Sequence, residues 1–136
     1  MKFNSSAGYD GSQSRVGWDN PNDHIEKVDI VGHSWFFPKY YLQYFWQEFP
    51  VSIPLSAGED IHFSYTLQKY GNVGTFVPPH PIDSPELWGS HPALATKLGG
   101  DSNATANHAI PLMNDYLKLC VLNGFTLIAN ETNDTL

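Results

Sequence analysis

One cysteine among 136 residues excludes an internal disulfide. Cys120 stands among Leu119, Val121 and Leu122, the setting of a small buried hydrophobe, and a Cys-based zinc site is excluded with it. Long apolar runs are missing too. None approaches the ~18 residues of a membrane span, the opening MKFNSSAGYDGSQS lacks the apolar core of a signal peptide, and a cytoplasmic location is expected. Charged residues make 15% of the chain, below the ~25% of an average soluble protein. Positive charge is scarcest: Lys+Arg number 7 against 14 Asp+Glu, for a net charge of −7. Such a surface should repel phosphate backbones, so no nucleic-acid partner is expected.

Rings and breakers are what the chain has instead. Aromatics reach 14%, with 11 Gly and 10 Pro, and the 41% of hydrophobic residues suffices for one domain with a core. Residues 1–24 are rich in Gly, Ser, Asn and Asp and read as an extended loop without regular elements, with Tyr9 and Trp18 embedded in it. A domain over 25–129 and a tail over 130–136 complete the division. From Ile25 to Val31, Val28 and Ile30 alternate with Lys27 and Asp29, which predicts a short strand ending at Gly32. Pro38 opens a predicted helix, YYLQYFWQEF, on which Tyr41, Leu42, Phe45, Trp46 and Phe49 recur at helical spacing, and Pro50 closes it. Trp46 is expected in the core.

After the linker VSIPLSAG, Gly58-Glu59-Asp60 opens a second helix with two carboxylates in its first turn; Lys69 and Gly71 supply its C-terminal signals. Val73–Val77 is a strand candidate closed by Pro78-Pro79. An irregular stretch from His80 to Asn107 holds Trp88 and a turn at Gly99-Gly100-Asp101. A third helix runs from about Ile110 to Asn123, ends at Gly124 and buries Met113, Tyr116, Leu117, Cys120 and Val121.

The sharpest chemical pattern is Gly58-Glu59-Asp60-Ile61-His62. A carboxylate held at a helix start, near free backbone N–H groups, has the geometry of a general base. The competing role is stabilisation of the first turn, worth ~0.3–1 kcal/mol. Aromatic faces suit sugar C–H edges, and Trp18, Trp35, Trp46 and Trp88 offer platforms, among which Trp35 and Trp88 are candidate substrate-binding residues. His80 stands in Pro78-Pro79-His80-Pro81, a frame stiff enough to aim an imidazole.

The order of these segments, VDIVGHSWFF, an aromatic helix, GEDIHFSYTLQKYG and a strand into VPPHP, resembles the acceptor-side, C-terminal half of a GT-A glycosyltransferase of the family 2-like kind. The likeness covers about residues 8–125. It implies a partial GT-A fold, α/β or α+β, with a small mixed sheet and about three helices and without the N-terminal Rossmann-like half. It implies transfer of a sugar from a nucleotide-sugar donor to a carbohydrate or other hydroxyl acceptor. Asp60 would be the base and Glu59 its catalytic neighbour. His33, Ser34 and Trp35 would lie between donor and acceptor sugars, Lys39 would supply a basic contact, and His80 would join a divalent metal, Mn²⁺ or Mg²⁺. His62, His91 and His108 stand behind His80 as candidates.

The chain contains no Asp-x-Asp and only 27 residues before Val28, fewer than one βαβ unit of roughly 30 residues requires. A fragment, a split half working with a partner chain, or a remnant inactive alone is therefore expected. The alternatives are a non-catalytic carbohydrate-binding or interaction module and a metal-dependent hydrolase, against which the absent ligand spacing counts.

Overall fold

The computed structural model describes residues 1–18, 20–32, 35–48, 58–88 and 110–131. Within them lies a small α/β fold. Strand β1 (Glu26–Val28) pairs antiparallel with β2 (Thr75–Val77), Lys27 opposite Phe76. Around this pair stand the one-turn helix α1 (Leu42–Phe45), the central helix α2 (Glu59–Gly71), α3 (Ile110–Leu122) and the short α4 (Ile128–Glu131). Tight 3₁₀ turns at Lys39–Tyr41 and Pro85–Leu87 complete the regular structure. The elements make a generic α/β arrangement, and nothing in them is specific to the GT-A fold.

Helix α2 organises the molecule. Its residues 61 to 67 are all buried, so it is surrounded on every side, as a core helix is. Gly58 precedes it at φ 94°, a left-handed conformation that favours glycine. At the other end the left-handed residue is Asn72, φ 52°, and not Gly71 as expected. The Asn72 N–H bonds the Gln68 carbonyl, the closure of an αL cap, and the Val73 N–H bonds the Leu67 carbonyl. Gly71 matters for packing instead. A Cβ there would lie 2.8 Å from the Tyr44 ring, so its absence lets α1 approach.

The core joins Ile61 and Tyr65 of α2 to Met113, Tyr116, Leu117 and Cys120 of α3, as the spacing on α3 predicts. Ile30, Phe125 and Leu127 close it, and Phe3 enters from the N-terminal loop at 1% exposure. The loop has no named strand or helix, yet Phe3 roots it, packed edge-on to Tyr9. Asp29, which alternation sets among polar positions, is buried. β1 has already ended at Val28, and the Asp29 carboxylate accepts the N–H of Phe3 at 2.6 Å and of Ile128 at 2.8 Å.

The expected helix after Pro38 is shorter than its periodicity suggests. Only Leu42–Phe45 is α-helical, and Trp46 is 65% exposed, which corrects its placement in the core. Five rings between Tyr40 and Trp46 lose side-chain freedom in a helix, and a single turn cannot sustain itself. The turn is held from outside, with Phe45 against the ring of His62 at 4.7 Å and Phe63 at 5.9 Å. Phe49 and Pro50 lie outside the described residues.

Candidate functional site

The first turn of α2 carries the two candidate carboxylates in different settings. Glu59 is exposed, while Asp60 is half-buried with Oδ1 accepting the Ile61 N–H at 2.8 Å. Burial, with the Glu59 charge beside it, raises the Asp60 carboxyl to about 6 against the pull of that N–H. Such a group is mostly ionised at neutral pH but holds a proton more strongly than an ordinary carboxylate, as a general base should. Gly32, at the end of the segment leading out of β1, faces it: a Cβ on Gly32 would stand 4.0 Å from Asp60 Oδ2.

Trp35 reaches the same helix, its ring 5.0 Å from Phe63, with Phe37 at 4.8 Å from that ring. Lys39 stands exposed in the turn before α1. His33 and Ser34 lie outside the described residues, as do His91 and His108. Asp60, Glu59 and Trp35 are thus gathered at the N-terminal half of α2. His80 and Trp88 belong to another group beyond β2. His80 pairs through its backbone with Asn22, and its Nδ1–H donates to the Pro78 carbonyl at 2.7 Å. Its imidazole rests against Gly17, with Trp88 close along the chain donating Nε1–H to the Pro81 carbonyl at 2.9 Å. No described contact joins these two to Asp60.

His62 is a structural group. Its Nε2–H donates to the Phe45 carbonyl at 2.8 Å, since a carbonyl only accepts, and its Nδ1 hydrogen-bonds the Tyr116 hydroxyl. The Cys120 thiol, pushed up to about 12 chiefly by burial, hydrogen-bonds the same hydroxyl. Every polar atom of the imidazole is satisfied, and the network pins α1 and α3 to α2. At the far end of α2, Lys69 donates to both Glu48 oxygens and to the Tyr65 hydroxyl. Burial pushes the Glu48 carboxyl up, but the hydrogen bonds from Tyr65 and Lys69 outweigh it and hold the group below its ordinary range.

Among the described residues no group of three or more His, Cys, Asp or Glu side chains could hold a metal ion. No described helix is long and apolar enough to cross a membrane. Sequence reasoning missed Tyr9. Burial, followed by the charge of Asp60, then opposed by Arg15, holds its phenol well above the usual range. The N-terminal loop therefore contributes to the surroundings of Asp60. A lone tyrosine inside a run of small polar residues is the local signal that such a loop has somewhere to pack. No family model, curated protein or solved structure matches this chain, so the geometry of its residues is what its function is argued from.

Proposed function

We propose that the chain is the acceptor-side portion of a GT-A-like glycosyltransferase, moving a sugar from a nucleotide-sugar donor to a hydroxyl acceptor. The observation that carries the proposal is Asp60: a half-buried carboxyl with raised proton affinity at the start of α2, facing the segment that leaves β1. In the reaction the acceptor oxygen attacks the anomeric carbon as its proton passes to Asp60. The bond from that carbon to the leaving diphosphate breaks, and the diphosphate keeps the electron pair. The Glu59 charge adds to the burial that raises Asp60, and Trp35, anchored on Phe63, presents an aromatic edge to a sugar. A divalent metal belongs to the parent reaction; the described residues supply no ligand set for it.

The deciding experiment is Asp60→Asn in the complete enzyme. One oxygen becomes an amide at a helix start, so the fold should survive by circular dichroism while turnover falls ~10²–10⁴-fold. Turnover within a few fold of wild type removes the base from Asp60. A second reading, a non-catalytic carbohydrate-binding module, is favoured by the exposed rings of Tyr40 and Trp46. Saccharide binding without any nucleotide-sugar binding would select it.

A further inference from the structure

Segments distant in sequence meet around a small cavity beside the strand pair: Lys27 and Asp29 from β1 and its exit, Ser64 and Gln68 from α2, Thr126 from the turn before α4 and Glu131 from α4 itself. It leaves about 10 Å³ for the centre of a water molecule, at the lower end of the ~10–15 Å³ that one water requires. The walls are fixed by bonds of their own. Gln68 clasps the Thr126 backbone, its Nε2–H donating to the carbonyl at 3.0 Å and its Oε1 accepting the N–H at 2.7 Å. On the solvent side the partly exposed Lys27 and Glu131 pair at 2.6 Å. Asp29 is buried, and its oxygens accept the N–H groups of Phe3 and Ile128, one on each.

Ser64 is 1% exposed, and among the described residues its Oγ has no hydrogen-bond partner. A buried hydroxyl on a helix ordinarily turns back onto a carbonyl of the preceding turn, as Thr66 does on the same helix by donating to the Phe63 carbonyl at 3.1 Å. Ser64 does not. It shares with Gln68, four residues on, the face of α2 that lines the cavity, so a buried and unsatisfied hydroxyl stands where a polar ligand can reach it. We propose that the cavity is the binding site of one structural water molecule, which bridges the Ser64 hydroxyl to the Asp29 carboxylate. Water has the chemistry both ends require. It donates to Asp29, whose oxygens each keep a second lone pair after accepting one N–H, and it accepts from or donates to Ser64 Oγ. The volume admits nothing larger. A cation finds its counter-charges engaged, since Asp29 holds two N–H groups and Glu131 holds Lys27. Asp29 already joins the N-terminal loop to α4, and the water adds α2 to that junction one turn beyond Asp60. The site stands whether or not the chain is a transferase.

The test is the ¹⁷O relaxation dispersion of water in solutions of the full chain, a signal that counts waters held inside a protein for longer than it takes to tumble and that exchanging hydroxyl protons do not mimic. Ser64→Val, whose branched methyl groups fill the space, should lower the amplitude by one water relative to wild type. Ser64→Ala removes one anchor without adding bulk and serves should valine disturb the fold. In that variant the water should exchange about tenfold faster, as the loss of one hydrogen bond implies, read from the temperature dependence of the dispersion. A high-resolution crystal structure should place the water ~2.7–3.2 Å from both Ser64 Oγ and an Asp29 oxygen. A dispersion that both variants leave unchanged in amplitude and temperature dependence overturns the proposal. So does electron density in which Ser64 Oγ donates to the Asp60 carbonyl and the cavity is dry.

Discussion

Asp60 binds its proton more strongly in the folded chain than a free carboxylate does, because burial disfavours the charge. A group whose folded pKa lies above its unfolded value stabilises the fold fully below the unfolded value, here 3.8, and that contribution is lost as pH rises through about 6. Asp60→Asn cannot ionise. The two proteins should therefore be of similar stability near pH 3.5, and above pH 6 the variant should be the more stable, by ~1 kcal/mol once solvent screening of a half-buried group is allowed for. Urea titrations across this range measure the difference directly, since every other titrating group is common to both proteins. A variant less stable than wild type at pH 7.5 would mean that Asp60 serves the first turn of its helix more than it strains it. A residue that weakens the fold in its ionised form has the profile of a functional group.

At the scale of elements, the contact between α1 and α2 turns on one missing atom. Gly71→Ala should gain about 1 kcal/mol of helix propensity, but its Cβ would press on Tyr44 Cε2 from 2.8 Å. Overpacking of this kind costs ~1–3 kcal/mol, and α1, a single turn, would be displaced before α2 gives way. The urea midpoint should fall for Gly71→Ala alone and rise when the same change is made on a Tyr44→Ala background. A rise in both backgrounds would show that Tyr44 does not depend on the glycine. The same pair of elements shows how far periodicity reaches. Tyr41, Leu42, Phe45 and Trp46 do recur at helical spacing, yet the exposure of Leu42 and Trp46 shows that spacing alone does not decide which face has a partner.

For the whole molecule the decisive tie is Asp29, whose two oxygens hold the N–H of Phe3 in the N-terminal loop and of Ile128 at the start of α4. Amides 26 residues before Asp29 and 99 residues after it thereby meet at one side chain. Asp29→Leu would leave both N–H groups without an acceptor, at ~1–3 kcal/mol each. Amide exchange at Phe3 and Ile128 should quicken together in that variant, and Asp29→Asn, which keeps one oxygen, should fall between it and wild type. Unchanged exchange at both amides would show that the loop is held by Phe3 packing alone. Exposed pairs such as Lys118 with Asp115 contribute little by comparison.

The sequence alone determined the elements whose signals are local. β1 comes from a short alternating run and β2 from one closed by Pro78-Pro79, α2 from its acidic first turn with Lys69 and Gly71 at its end, and α3 from an apolar stripe that buries Met113, Tyr116, Leu117 and Cys120. It likewise placed Glu59 and Asp60 in the first turn of a helix, since glycine and two acids mark such a start without any help from the rest of the chain. Tertiary structure decided everything that depends on which surfaces meet. Asp29 is buried because two distant N–H groups converge on it, and His62 is a structural pin because a carbonyl and a hydroxyl approach its opposite nitrogens. His80 stands apart from Asp60 because β2 delivers it to Asn22, and Tyr9 comes near Asp60 because Phe3 carries its loop into the core. Burial and charge act through space, and no spacing along the chain encodes the distance between residues that only folding brings together.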